Sequence, residues 1–110
     1  MTDQYQLALC TCPDEESAEM IANHLVDEQL AACVNIINGV RSVFRWQGEV
    51  ESNNEVLLVI KTMAHVYDRM EQTILQYHPY ELPEIVIVPI SNGEHDYLSW
   101  VKRGILPNIS

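Results

Sequence analysis

ACVNIINGVRSVFRWQGEVESNNEVLLVIKT, residues 32–62, is the stretch that decides the fold. Ala32 to Trp46 is rich in Val, Ile, Phe and Trp, residue types that suit a pleated surface, and is interrupted only at Asn38-Gly39. That pattern predicts a long strand with a bulge or bend at the glycine. Gln47-Gly48 reads as a tight turn. Strand character resumes over Glu49–Glu51 and Glu55–Thr62, where Val56, Leu57, Leu58, Val59 and Ile60 form a run dense enough to be buried on both faces. The two stretches pair most simply as one long antiparallel hairpin.

On its N-terminal side, Tyr5–Cys12 reads as a short apolar strand that stops at Pro13, which cannot donate to a ladder. Asp14 is a good N-cap, Glu15 and Glu16 complement the dipole of a first turn, and Ala18, Ile21, Ala22 and Leu25 recur at helical spacing to about Gln29. On its C-terminal side a second helix is expected over Ala64–Tyr77, ending before Pro79, followed by a strand over Glu84–Ile90. Ser91-Asn92-Gly93 reads as a turn and Glu94–Lys102 as a short helix. Strand, helix, strand, strand, helix, strand is the order of a split βαβ, ferredoxin-like α+β domain: an antiparallel sheet with both main helices on one face. The other face is too apolar to leave wet, which predicts burial against further copies of the chain.

The 110 residues suit one domain, 1–110, and 47% hydrophobic against 20% charged residues is a composition that folds. Sixteen acidic against six basic side chains give a net charge of −10, a surface that repels phosphate backbones and anionic headgroups, so neither nucleic acid nor membrane is an expected partner. No apolar run approaches the roughly 18 residues of a bilayer span. Met1-Thr2-Asp3-Gln4 has neither a basic start nor a signal core, and Cys10, Cys12 and Cys33 are an odd number in a chain without a secretion signal. These features predict a cytoplasmic protein with reduced thiols. The four glycines are isolated, and G-x-S-x-G, H-E-x-x-H and paired C-x-x-C patterns are missing, so no catalytic motif announces an enzyme.

Soft donors are concentrated in two places. Cys10-Thr11-Cys12 is a C-x-C pair whose side chains, two apart on a strand, share a face and could offer sulfur to copper or zinc, though buried cysteine also serves as a small hydrophobe. His24, His65 and His95 have no companion ligand at helical spacing and read as exposed or structural. His78 lies in Tyr77-His78-Pro79-Tyr80-Glu81-Leu82-Pro83-Glu84, where two prolines stiffen a turn carrying an imidazole, two phenols and two carboxylates. Such a turn serves equally as a rigid connection and as a preorganised polar cluster.

The segment HPYELPE, residues 78–84, followed by an apolar strand, resembles the signature of the CutA divalent-cation tolerance family. Leu30–Asn35, Ser42–Glu49, Glu55–Thr62 and Tyr97-Leu98-Ser99-Trp100 are similar to the family pattern in the same order, so the likeness spans nearly the whole chain. The resemblance implies a ferredoxin-like subunit in a tight homotrimer, similar in architecture to the PII signalling proteins, and a link to tolerance of copper and other divalent cations. It also implies copper ligands: a first-strand cysteine, matched by Cys10, and histidines before the Pro-Tyr, of which His78 matches one while Tyr77 stands in place of the other. Glu84 is a weaker candidate donor. The expectation is a trimeric, nonenzymatic metal-binding or metal-response protein holding copper weakly at Cys10, His78 and Glu84. A PII-like module that binds a small ligand or a protein partner is the alternative.

Overall fold

The hairpin forms at the length its sequence requires. In the computed structural model, which describes residues 3–109, β2 (Cys33–Trp46) and β3 (Glu49–Met63) pair antiparallel from Cys33 opposite Lys61 out to Trp46 opposite Glu49. Gln47 and Gly48 both take positive φ, 50° and 81°, the two-residue turn whose twist matches paired strands. The register slips between Ile37 and Val40, where Gly39 adopts φ 78°, so the bulge lies where Asn38-Gly39 predicted it. β3 runs unbroken through Ser52–Asn54, where a gap in strand character was expected. Pairing with Arg41–Val43 satisfies the backbone there, and polar side chains cost nothing on a solvated ribbon.

The remaining elements are β1 (Tyr5–Cys12), α1 (Glu15–Asp27), a 3-10 turn (Ala64–Val66) leading into α2 (Tyr67–Tyr77), β4 (Val86–Pro89) and α3 (His95–Arg103). Met1 and Thr2, the start of the segment read for a signal, lie outside the described residues, as does Ser110. The sheet order is β2-β3-β1-β4, antiparallel throughout. One sheet face carries Ala8, Cys10, Cys12, Val56, Leu58 and Ile60, which join Ile21 and Leu25 of α1 and Met70 and Ile74 of α2 in a single core. Each large side chain of that core contributes about 1.5–3 kcal/mol by leaving water.

Two helix ends show how the local chemistry works. Asp14 caps α1 by accepting from the Ser17 amide at 2.8 Å, and that bond, with a second from the Ser17 hydroxyl, holds the Asp14 carboxyl below the usual carboxylate range. α2 stops at Tyr77 because His78, the residue immediately before Pro79 and restricted by it, has turned to extended backbone with ψ 134°. α1 ends at Asp27, two residues short of expectation, where Gln29 turns to φ 59°.

Two expectations are corrected. β4 covers only Val86–Pro89, because its ladder with β1 ends at Leu9 opposite Val86 and the next carbonyl on that edge, Thr11, is taken by His78 instead of a strand amide. The run Val56–Ile60 is covered on one face only within the chain: Leu57 and Val59 stay half-buried, as do Leu7 and Leu9 beside them.

Ile60, fully buried at the sheet centre, sets the first test: Ile60→Ala should lower the unfolding free energy by about 2–5 kcal/mol in urea at fixed chain concentration, against a change within about 0.5 kcal/mol for Gln72→Ala on the exposed face of α2. The cap sets the second. A carboxyl whose folded pKa is depressed adds stability above its unfolded value near about 4 and loses it as pH falls through the folded value. Asp14→Asn keeps the acceptor without the titration, so its melting temperature should drop less than the parent's between about pH 5 and about pH 3.

Candidate metal centre

Cys10 and Cys12 come two apart on β1, so both point to the helix-covered face, and both are wholly buried. Their ladder partners on β3 are Leu58 and Val56, so the surroundings are apolar. His78, the C-cap of α2, arrives from the other side and is 7% exposed. One ligand atom from each of Cys10, Cys12 and His78 lies within 4.8 Å of the others, a convergence of two sulfurs and an imidazole. Sulfur and imidazole together suit copper and zinc more than hard cations that demand oxygen.

Hydrogen bonds fix the imidazole completely. The Tyr80 amide donates to Nδ1 at 3.1 Å, so that nitrogen is the acceptor; Nε2 therefore carries the proton and donates to the Thr11 carbonyl at 2.8 Å. The ring bridges the strand edge and the loop after α2. Tyr80 packs its ring 5.0 Å from that of His78 and donates its hydroxyl to Glu55 at 3.1 Å. Burial, then the bond to Glu55, pushes the Tyr80 phenol up to about 12, so it stays a donor at neutral pH. The two thiols are shifted in opposite directions. Hydrogen bonding with Cys12 and then burial push Cys10 up, whereas the same contact lowers Cys12 against the opposing effect of burial.

The remaining candidates stand apart from this cluster. Glu84 is exposed and lines, with Thr11, Glu55 and Tyr80, an open hollow of about 1040 Å³ whose outer wall carries Phe44 and Trp46 of the hairpin. Tyr77, which stands where the resemblance implied the other histidine, stacks on His24 of α1 instead, rings 4.0 Å apart and 10° from parallel. His65 bonds the Leu106 carbonyl and His95 sits in solvent beside Asp96, both as expected of non-ligands. Cys33 receives a contact from the Lys61 ammonium at 3.8 Å on the uncovered sheet face. The structure also brings Cys12, outside the expected ligand set of Cys10, His78 and Glu84, into the cluster, which the C-x-C spacing allowed although it fits two small core residues equally well. The Tyr80–Glu55 bond had no sequence signal, since it joins a loop to a strand 25 positions away.

The family model described as CutA1 divalent ion tolerance protein matches residues 6–104. The divalent-cation tolerance protein CutA of Thermus thermophilus is 46% identical over 98 residues, covering 89% of this chain and 95% of its own. Among solved structures, CutA1 from Oryza sativa superposes with a TM-score of 0.92 at 35% identity, with 96% of each chain covered. CutA from Xylella fastidiosa gives a TM-score of 0.89 at 42% identity, with 92% of this chain and 97% of that one covered. With the match running from β1 to the end of α3 at this identity, the chain belongs to the CutA1 divalent ion tolerance protein family.

Proposed function

We propose that this protein is a trimeric, noncatalytic metal-binding or metal-response protein of divalent-cation tolerance, with copper as its preferred cargo. The observation that carries the reading is the convergence of Cys10, Cys12 and His78 within 4.8 Å in an apolar corner. Cys10 is the anchoring thiolate, His78 a candidate second donor, and Glu84, at the rim of the neighbouring hollow, the weaker third. A site with so few committed donors exchanges its ion readily, which suits a sensor or buffer. Free thiols at all three cysteines fit a reducing, cytoplasmic setting.

The trimer is supported by the sheet face the helices leave open. Leu7, Leu9, Leu57 and Val59 are half-buried there, and Val86 and Val88 keep 49% and 40% of their surface exposed. A patch of this kind on an antiparallel sheet is normally covered, and further copies of the same chain supply a matching surface. The PII-like alternative draws on a different observation: the hollow beside Thr11 and Tyr80 is large enough for a small ligand.

Two measurements check the reading. Light scattering at micromolar concentration should give the mass of three chains; a mass of 12.6 kDa would rule the trimer out. Equilibrium dialysis against copper under reducing conditions should leave one ion per chain on the parent and none on Cys10→Ser, with the trimer mass unchanged. Equal retention by both proteins would shift the cation affinity to the acidic surface and favour the ligand-responsive alternative.

A further inference from the structure

Resting on the metal-binding reading above, we propose that Cys12 is the second metal ligand: the cargo is a monovalent soft ion, Cu(I), bridged between the sulfurs of Cys10 and Cys12, with His78 outside the coordination shell. His78 is then a positioning residue that holds the loop against the strand edge.

Three features of the corner lead there. The first is span. Two metal–sulfur bonds of about 2.3 Å laid end to end reach about 4.6 Å, and the Cys10 and Cys12 ligand atoms lie within 4.8 Å of each other. Because the two residues share one strand face at the spacing the pleat dictates, an ion held between them asks for no movement of the backbone.

The second is the state of the imidazole. A nitrogen that accepts a hydrogen bond has already used its only lone pair, and one that carries a proton has none to give. His78 Nδ1 accepts from the Tyr80 amide and Nε2 donates to the Thr11 carbonyl. Recruiting either nitrogen strands a main-chain group at the strand edge or in the loop and frees Tyr80 from its place beside Glu55. The two sulfurs carry no such commitment. Neither is held by more than the 3.9 Å approach of Cys10 Sγ to the Thr11 carbonyl, and an ion bound between the two thiolates replaces both thiol protons, which leave to solvent.

The third is what the corner lacks. Among the described residues the cluster contains no carboxylate, and Glu84 lies exposed outside it. Zinc asks for four ligands in a tetrahedron and hard cations for six or more oxygens, whereas two thiolates in an apolar pocket satisfy a soft monovalent ion that accepts low coordination. Cys12 thereby becomes the residue that determines specificity.

The test uses the full chain, anaerobic and reduced, with Cu(I) delivered from a chromogenic cuprous chelator. The expected result is one Cu(I) per chain, an X-ray absorption spectrum with two sulfur neighbours and no nitrogen shell, and an affinity that falls more than about 100-fold in Cys12→Ser, beyond the range of outer-shell losses. His78→Gln should bind within about tenfold of the parent while melting at lower temperature, because its cost falls on the loop. An imidazole nitrogen in the spectrum of the parent overturns the inference and needs no variant to fold. So does copper retention that survives Cys12→Ser and fails in His78→Gln, an outcome that leaves the Cys10–His78 reading intact. Zn(II) displacing Cu(I) at equal concentration overturns the monovalent preference. If Cys10→Ser and Cys12→Ser both bind as the parent does, the metal-binding reading itself falls with the inference.

Discussion

The carbonyl of Thr11 governs the working end of this molecule. β1 is paired with β3 along its whole length but with β4 only from Gln6 to Leu9, so the edge facing β4 runs out of strand before it runs out of acceptors. An unpaired carbonyl at a buried edge carries a desolvation cost of about 1–3 kcal/mol, and the fold meets it with a side chain. His78 supplies the missing donor at 2.8 Å, which requires α2 to end within reach of that edge and the chain to turn there at once. Pro79 enforces the turn. The Tyr80 amide closing onto Nδ1 settles which nitrogen holds the proton, and Tyr80 then reaches Glu55 on the neighbouring strand. A single deficit at a sheet edge thus determines the helix end, the loop path and the tautomer.

The same geometry sets the two faces of the sheet apart. Odd and even positions of β1 and β3 divide so cleanly that Ala8, Cys10, Leu58 and Ile60 are fully buried while their neighbours Leu7, Leu9, Leu57 and Val59 are only partly so. The outer hairpin beyond the Gly39 bulge extends past the body, with Val43 and Val50 about two-thirds exposed at 69% and 67%. An isolated two-stranded ribbon is marginal in water, so a hairpin of this length gains from a surface to lie against. Open face and projecting ribbon are continuous through β3, and covering both at once is the arrangement that a closed, symmetric assembly provides.

How far the sequence revealed this depends on the range of the interactions involved. β1, the bulge at Gly39, the Gln47-Gly48 turn and the Asp14 cap were all legible, because each is decided by a few adjacent residues and one backbone requirement. The N-terminal extent of β4 was not: Ile85 looks as strand-like as Val86–Val88, and only the end of the β1 ladder at Leu9 excludes it. At the site, Cys10 and His78 were readable from their motifs, and the structure brings them together. The weights assigned to their neighbours changed. Tyr77 and Glu84 sit next to the right residues in sequence, yet one is drawn off by stacking on His24 and the other lies at the surface. Cys12 gained because burial on a shared strand face is a property of the fold, which a C-x-C spacing allows without demanding.

Cysteine would let a metal corner of the proposed kind coexist with a core. A carboxylate or amine in the place of Cys10 or Cys12 would be an uncompensated charge against Leu58 and Val56, a cost of several kcal/mol that a domain of this size does not survive easily. A thiol packs as a small apolar group until a soft ion arrives to replace its proton. The metal-free protein therefore needs no ion to complete its packing, and the structural duties that a ligand would otherwise carry fall to His78, whose two hydrogen bonds hold strand and loop together. In the proposed arrangement sulfur would serve the ion and imidazole the backbone, a division suited to burial on one side and an orphan carbonyl on the other. It explains why a histidine one expects to bind metal is, in this chain, already fully engaged.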